Sequence, residues 1–138
     1  MDREDLGFQF GRILRHLIEA ERPLLAAHDL SMWGYIALTH LAASPVDTQL
    51  ELARAIGYDK TRLVALLDEL QAAGLVRREP DPDDRRARTV HLTNAGRRRH
   101  ADAQRDIREM EEAMLTDLSS RERSALLAAL GRLAGPPA

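Results

Sequence analysis

The residues of this sequence that are best suited to binding are its arginines, which cluster in one segment. Of the 20 basic residues, Lys60 is the single lysine and the others are arginine. The segment from Arg85 to Arg99 contains six arginines and no acidic residue, although the whole chain has a net charge of −2. The planar guanidinium group makes paired hydrogen bonds with phosphates and base edges. The cluster therefore predicts a local anion-binding surface on a nearly neutral protein.

Other kinds of chemistry find little support in the composition. The chain has no cysteine, which excludes disulfides, thiol chemistry and cysteine-ligated zinc. Its five histidines show no close, recurring spacing, so no metal site is expected. The sequence contains no glycine-rich phosphate loop and no local histidine–carboxylate motif. We therefore expect neither an enzyme nor a bound cofactor.

Length and composition indicate one globular unit. The chain has 138 residues, of which 44% are hydrophobic and 30% charged, as in an ordinary domain with a core. No apolar run approaches the roughly 18 residues of a membrane span. The N-terminus lacks the basic-then-apolar order of a signal peptide. We expect a cytoplasmic protein without a membrane partner.

Four helices are predicted before the arginine cluster. Apolar residues at spacings of three, four and seven predict a first helix over residues 6–28, which Pro23 should bend or split. Ser31 can cap a second helix. Thr48 opens a short third helix with a capping box, and Asp59 can cap the fourth. The break of about three residues between these last two helices is typical of a helix-turn-helix.

The exposed side of the fourth helix has the residue types of a helix that enters a DNA major groove. N-terminal residues of such a helix meet base edges, and small side chains let its backbone approach closely. The residues in question are Lys60, Thr61, Arg62 and Ala65, with further contacts assigned to Thr48, Gln49 and Arg77. The alternative interpretation is a solvated helix face that binds nothing.

After the fourth helix the pattern changes to a hairpin followed by two helices. Residues 75–79 and 88–92 are strand candidates, joined by a charged turn. A long helix is predicted from Thr93 to about 118, and a capping box at Ser119 starts the last one. The expected fold is mainly α with a small β-hairpin. Because a hairpin directly follows a helix-turn-helix, we expect a winged helix-turn-helix over residues 31–92.

Three segments of the sequence resemble the signature of the MarR family of winged-helix regulators. They are Gly74–Arg78, Asp81–Arg88 and Leu92–Gly96. The opening of the fourth helix, residues 59–63, also looks like the recognition helix of that family. The resemblance covers the chain in length and helix order, and its most specific part is the wing.

The resemblance implies particular roles for the wing residues. In that family an Asp-x-Arg pair at the wing base, here Asp84 and Arg86, acts as a unit. The arginine enters the minor groove, where negative potential favours a guanidinium group, and the aspartate holds the wing arginines in place. Arg85 and Arg88 would make phosphate or supporting contacts. The competing interpretation is a surface ion pair between Asp84 and Arg86, worth about 0–1 kcal/mol.

The sequence leaves the roles of the other arginines near the wing more open. Arg78 matches a family position, which leaves a structural role open for it. The three arginines at residues 97–99 are expected to form a solvated face, because positive charge in the first turns of a helix opposes its dipole. Phosphates or the acids of the wing are the alternative partners for these three.

The terminal helices carry more apolar surface than a small winged domain can cover. Paired half-sites one DNA turn apart give usable specificity, and the family dimerises through these helices. We therefore expect residues 1–30 and 93–138 to form a homodimerisation region. The alternative is that they fold back on their own domain. The predicted interface residues are Leu6, Phe10, Ile13, Leu126, Leu127, Leu130 and Leu133.

The resemblance also implies an effector site where the DNA-binding and dimerisation regions meet. Its ligand would be a small aromatic or anionic molecule. The first two helices would line it with His16, Trp33, Tyr35 and His40. The alternative is that each of these side chains fills the core or the interface.

Together these features predict a sequence-specific regulator that binds double-stranded DNA. The expected mechanism is a ligand-responsive repressor that acts as a homodimer on a pseudo-palindromic operator. A recognition helix would occupy the major groove and a wing arginine the minor groove. The alternative function is a helical dimer that does not bind DNA and instead binds a protein partner or a small molecule.

Overall fold

Local capping signals and apolar periodicity build a mainly helical chain with a small sheet. The computed structural model describes residues 2–44 and 47–136. This confirms the expected fold class, helices with a β-hairpin wing. The described elements are α1 (Leu6–Ala27), α2 (Met32–Ala43), β1 (Asp47–Thr48), α3 (Gln49–Ile56), α4 (Lys60–Ala72), β2 (Val76–Pro80), β3 (Arg88–Leu92), α5 (Asn94–Met114) and α6 (Ser120–Ala134).

The side-chain caps lie where the sequence predicts them. Ser31 accepts a hydrogen bond from the backbone N–H of Gly34 at the start of α2. Complete capping boxes at Thr48 and Ser119 open α3 and α6. Each cap satisfies backbone donors that have no partner within the helix. These short-range signals set the starts of the helices.

One predicted helix end is wrong, and of the bend or split expected at Pro23 the split does not occur. α1 runs unbroken through Pro23, so the expected split does not occur. Leu25, just beyond this proline, is almost fully buried, and its packing outweighs the one lost backbone bond. α5 ends at Met114 rather than near residue 118. There the N–H of Thr116 bonds to the carbonyl of Ala113, three residues back, in a tightened last turn.

The sheet has one strand more than the sequence predicts. β3 is its central strand and pairs antiparallel with β2, in the register Val76↔Leu92. On its other side β3 pairs with β1, in the register Thr48↔Thr89. A strand of two residues has no detectable alternation, so only the pairing with β3 defines it. The hairpin is therefore anchored to the start of α3.

The core lies between the helix-turn-helix, the base of the wing and the long helices. Its fully buried side chains include Leu38, Leu52, Leu63 and Val90, from α2, α3, α4 and β3. α5 packs on both α1 and α2, so the long helices share this core. Among the described residues, no helix combines the length and the apolar character of a membrane span.

The joint between the base of the wing and the start of α5 consists of hydrogen bonds of Thr93 and a close backbone contact at Gly96. The Thr93 hydroxyl donates to the carbonyl of Gly74 at 2.6 Å and accepts from the N–H of Gly96 at 3.0 Å. At Gly96 an added Cβ would lie 2.1 Å from the carbonyl oxygen of Leu75. Glycine is required there because the backbone of α5 nearly touches that of Leu75, the residue before β2.

Candidate nucleic-acid interface

One side of α4 is free to meet a ligand. The Asp59 side chain accepts from the N–H of Arg62 at 2.9 Å and so caps the helix. Leu63, Leu67 and their neighbours on the same face are buried and fix the rotation of the helix about its axis. The opposite side and the first turn therefore face solvent. All four predicted contact residues are exposed there: Lys60, Thr61, Arg62 and Ala65.

Aromatic stacking supports the turn that precedes α4. Gly57 ends α3 in the left-handed conformation, with φ +68°. Tyr58 follows it, and its ring stacks on that of Trp33 with the centroids 4.2 Å apart. The sequence predicts Trp33 as a lining residue of an effector site. Instead it joins α2 to the turn of the helix-turn-helix.

The wing tip is organised by its acids through the backbone. Asp84 accepts from the backbone N–H of Arg86 at 3.0 Å, and its own carbonyl accepts from Ala87 at 3.1 Å. Asp81 likewise accepts from the N–H of Asp83 at 2.9 Å. These contacts form local turns that fix the loop. Within residues 2–44 and 47–136 no salt bridge joins Asp84 to an arginine, so the ion-pair interpretation is wrong.

The wing therefore presents charges on a fixed backbone. Arg85, Arg86 and Arg88 are all exposed. Arg77, on β2, is also exposed but is paired with Glu79 at 3.0 Å. The hydrogen bond from Arg77 holds the pKa of Glu79 below its ordinary value.

Arg78 has a different environment from the other wing arginines. Its guanidinium group donates to Gln71, Gln49 and Asp68, and its side chain is only 13% exposed. Gln49 is a predicted DNA contact, yet its amide oxygen is already used by Arg78. Thr48 is occupied as the cap of α3. Sequence inspection could not find this network, because its members lie far apart along the chain.

One of the three arginines at the start of α5 is not part of a solvated face. Arg99 donates to the backbone carbonyl of His28 at 2.9 Å, at the C-terminal end of α1. The imidazole of His28 lies 2.6 Å from the carboxylate of Asp106. These two contacts tie α5 to the end of α1. Arg97 and Arg98 are exposed, as expected.

The four predicted effector residues do not lie together. Tyr35 and His40 line a cavity of about 790 Å³ between α2 and α3, but His16 is exposed on α1 and Trp33 packs on Tyr58. Residues three or four apart share a helix face, as Tyr35 with Thr39 and Ile36 with His40 do here, whereas residues on separate helices meet only through packing. The side chains that line the cavity are Tyr35, Ile36, Thr39, His40, Ala43, Ser44, Ala55 and Ile56.

A buried polar contact adjoins the cavity. His100 of α5 stacks on Tyr35, with the centroids 5.3 Å apart, and its Nε2 lies 3.0 Å from the Thr39 hydroxyl. That hydroxyl donates its proton to the carbonyl of Tyr35, so the imidazole N–H is the donor to Thr39. Burial, and then the charge of Arg108, lower the pKa of His100. In the described part of the chain, no three His, Asp or Glu side chains cluster as metal ligands would.

The terminal helices leave a large apolar surface uncovered. Six of the seven predicted interface residues are between 36% and 76% exposed, and Leu126 is partly buried. Phe8 and Leu14, which are not among the predicted interface residues, are exposed on α1 as well. A groove of about 490 Å³ runs between α1, α5 and α6. Its lining is mostly apolar but includes the charged residues Arg108, Glu111 and Glu112 of α5.

Comparison with known proteins matches this architecture to one family. The model of the MarR family matches residues 28–87. The transcriptional repressor CouR, solved on a 23-mer DNA duplex, is 30% identical, with a TM-score of 0.81 over 95% of this chain and 93% of that one. A MarR-family transcriptional regulator from Silicibacter pomeroyi is 31% identical, with a TM-score of 0.75 over 91% and 85%.

A more distant structure shares the fold of this chain. Wild-type MarR from E. coli is 21% identical, with a TM-score of 0.85 over 97% of this chain and 100% of that one. Proteins of this family are transcriptional regulators rather than enzymes. The helix-turn-helix, the wing joined to it and the two relatives at 30% identity or more lead to one assignment. The chain belongs to the MarR family of winged-helix transcriptional regulators.

Proposed function

We propose that this protein is a repressor that binds a pseudo-palindromic operator in double-stranded DNA as a homodimer. The observation that carries the proposal is the pair of exposed basic surfaces, one on α4 and one on the wing. The side chains of Lys60 and Arg62 make no salt bridge within the described ranges, so both remain available to bases or phosphates. CouR, a relative of similar length, is a repressor solved on DNA.

The division of labour follows from the same surfaces. Residues 31–92 would form the DNA-binding region, with α4 in the major groove and Arg86 in the minor groove. Arg85, Arg88 and Arg77 would contact phosphates. Gln49 would keep only its amide N–H groups for DNA, because Arg78 occupies its oxygen.

The terminal helices would supply the homodimer interface. Residues 1–30 and 93–138 contain the exposed leucines and phenylalanines of α1 and α6, although residues 1, 137 and 138 lie outside the described part. An apolar surface of this extent on a single chain marks an interaction site. Two copies related by a twofold axis would cover it and place two recognition helices on one face.

The cavity between α2 and α3 would receive an effector. The cavity lies between α2, which packs on α5, and α3, the first helix of the helix-turn-helix. A ligand bound there would therefore shift α3 relative to the dimer helices. Among the described residues that line it there is no arginine or lysine, and the one basic side chain is that of His40. This favours an uncharged aromatic molecule over an anion, because a buried anion needs a cationic partner.

The decisive experiment is fluorescence anisotropy on two duplexes. One duplex carries the sequence upstream of the protein's own gene and the other a scrambled version, each at two salt concentrations. We expect tighter binding to the first by about 10³-fold or more, with a steep salt dependence. Equal binding to both duplexes, with Kd values of about 10⁻⁴–10⁻⁶ M, would contradict specific regulation from that site. It would favour a helical dimer with a protein partner.

A further inference from the structure

Arg78 connects three elements that would each take part in DNA binding. From β2, its Nε donates to Gln71 Oε1 at 2.8 Å and one terminal nitrogen donates to Asp68 Oδ1 at 2.6 Å. The other terminal nitrogen donates to Gln49 Oε1 at 3.2 Å. Gln71 and Asp68 lie on α4, and Gln49 is the first residue of α3. One side chain thus joins the wing to both helices of the helix-turn-helix.

The burial of Arg78 separates it from the arginines around it. Its side chain is 13% exposed, whereas that of Arg77, the preceding residue on the same strand, is 57% exposed. Three hydrogen bonds hold the planar guanidinium group in one orientation. The bond to the Asp68 carboxylate is charge-assisted and therefore among the stronger ones. Arg78 is fixed within the protein rather than presented to DNA.

We propose that Arg78 is a positioning residue that locks the wing to the recognition helix α4, so that Arg86 and α4 engage the duplex together. The proposal rests on the DNA-binding function proposed above. β2 leads directly into the loop that carries Arg86, so the orientation of β2 against α4 sets where Arg86 points. When two binding elements are held rigidly, the second contact forms without a further loss of conformational freedom.

Removing the acidic side chain of Asp68 is predicted to weaken DNA binding, although removing a negative charge usually strengthens it. An acid on a DNA-binding helix repels phosphates, so its removal should by charge alone strengthen binding. Asp68 also holds Arg78, and its loss frees that guanidinium group. If positioning dominates, Asp68→Ala weakens binding to the specific duplex. A rise in affinity for Asp68→Ala would overturn the proposal.

The principal test is a double-mutant cycle on the specific duplex, measured by anisotropy. Arg78→Met keeps the length of the side chain and removes its donors. We expect it to lower affinity by about tenfold in the wild-type background, and by less than about twofold in the Arg86→Ala background. Without Arg86, positioning the wing no longer brings a guanidinium group into the minor groove, so most of the benefit of positioning is lost. A fold or stability defect would act equally in both backgrounds.

Arg77→Met serves as the matched control. It lies next to Arg78, is exposed, and is assigned a phosphate contact of its own, so its loss should add to that of Arg86→Ala. Thermal unfolding shows whether Arg78→Met remains folded; if it does not, the Asp68→Ala measurement decides. Equal losses for Arg78→Met in both backgrounds would overturn the positioning role while leaving DNA binding intact. A wild-type protein without specific duplex binding would overturn both proposals.

Discussion

At the scale of single residues, charged side chains near the wing divide into those that shape the protein and those that face solvent. Asp84 and Asp81 hold the backbone of the loop, and Arg78 holds β2 against α4. Arg86 has an exposed side chain on a backbone fixed by Asp84. A guanidinium group on a fixed backbone loses less conformational freedom on binding than one on a mobile loop. This makes Arg86 the informative residue to change.

Replacing Arg86 by alanine is expected to weaken binding to all duplexes by roughly 1–3 kcal/mol, because a minor-groove contact is lost. Anisotropy titrations at physiological salt measure the change. Arg105→Ala is the matched control, since it removes the same charge from the middle of α5, far along the chain from the wing. Unchanged affinity of the Arg86 variant would refute the role assigned to the wing.

His100 should make stability depend on pH. Burial, followed by the charge of Arg108, lowers its pKa in the folded protein, so the unfolded chain takes up the proton at higher pH. The free energy of unfolding should therefore fall as the pH drops through about 6.5 and towards the folded pKa. Urea titrations across this window measure the effect.

The comparison that isolates His100 uses a neutral donor in its place. His100→Gln keeps a side-chain N–H for Thr39 but does not titrate, so its stability should vary less between about pH 7.5 and about pH 5.5 than that of the wild type. His16→Gln, at an exposed position on α1, should retain the wild-type dependence. Parallel curves for the wild type and His100→Gln would show that other groups cause the dependence.

At the scale of elements, the joint between β2, β3 and α5 carries the strictest packing requirement. Gly96 lets the start of α5 approach the carbonyl of Leu75, and Thr93 caps the helix while bonding to Gly74. The start of α5 is therefore fixed directly to the base of the wing.

Replacing Gly96 by alanine should destabilise the fold by several kcal/mol, because the new Cβ would lie 2.1 Å from Leu75 O and a backbone must shift. Thermal unfolding measures this loss. Gly131→Ala in α6 is the control: a Cβ added there would meet no atom within 4 Å, so helix propensity should make the change neutral or stabilising by up to about 1 kcal/mol. A Gly96 variant as stable as the wild type would show that the joint is compliant.

Element prediction succeeded where the signal was local. The caps at Ser31, Thr48 and Ser119 involve residues within three positions of one another, so each could be found in the sequence. The strand β1 depends on pairing with β3, about forty residues away, and was missed. The continuity of α1 at Pro23 depends on the burial of Leu25 by other helices. Neither the pairing of β1 with β3 nor the burial of Leu25 can be predicted from the residues next to them in the sequence.

At the scale of the whole molecule, the uncovered apolar surface of the terminal helices is the dominant feature. In the single chain, the exposed side chains of Ile13 on α1 and of Leu127 and Leu130 on α6 border a groove that their own domain does not fill. A second copy would bury these side chains. Because α5 packs on α1, the start of α5 and the wing attached to it would then be held by the dimer. The spacing of the two recognition helices would then depend on this interface.

Introducing a charge into this surface should separate the proposed dimer. Leu127 is 55% exposed in the single chain, so Leu127→Glu leaves the domain core intact. A twofold interface would bury the new carboxylate in both copies, which is costly without a partner. Sedimentation velocity should show monomers and anisotropy should show weaker operator binding. Leu50→Glu, on α3, is the control and should leave the association state unchanged; a dimeric Leu127 variant would contradict the assigned interface.

The helices, the hairpin, the family and the two basic surfaces can all be read from the amino-acid sequence, because they depend on residues close together along the chain. The exposure of Lys60, Arg62 and Arg86 follows from helix periodicity and turn chemistry. The folded chain alone shows which polar residues are occupied within the protein and which of the predicted effector residues share a cavity. Those outcomes depend on side chains from distant segments that meet through packing of the core. The spacing of residues along the chain does not show which distant side chains meet in the folded protein.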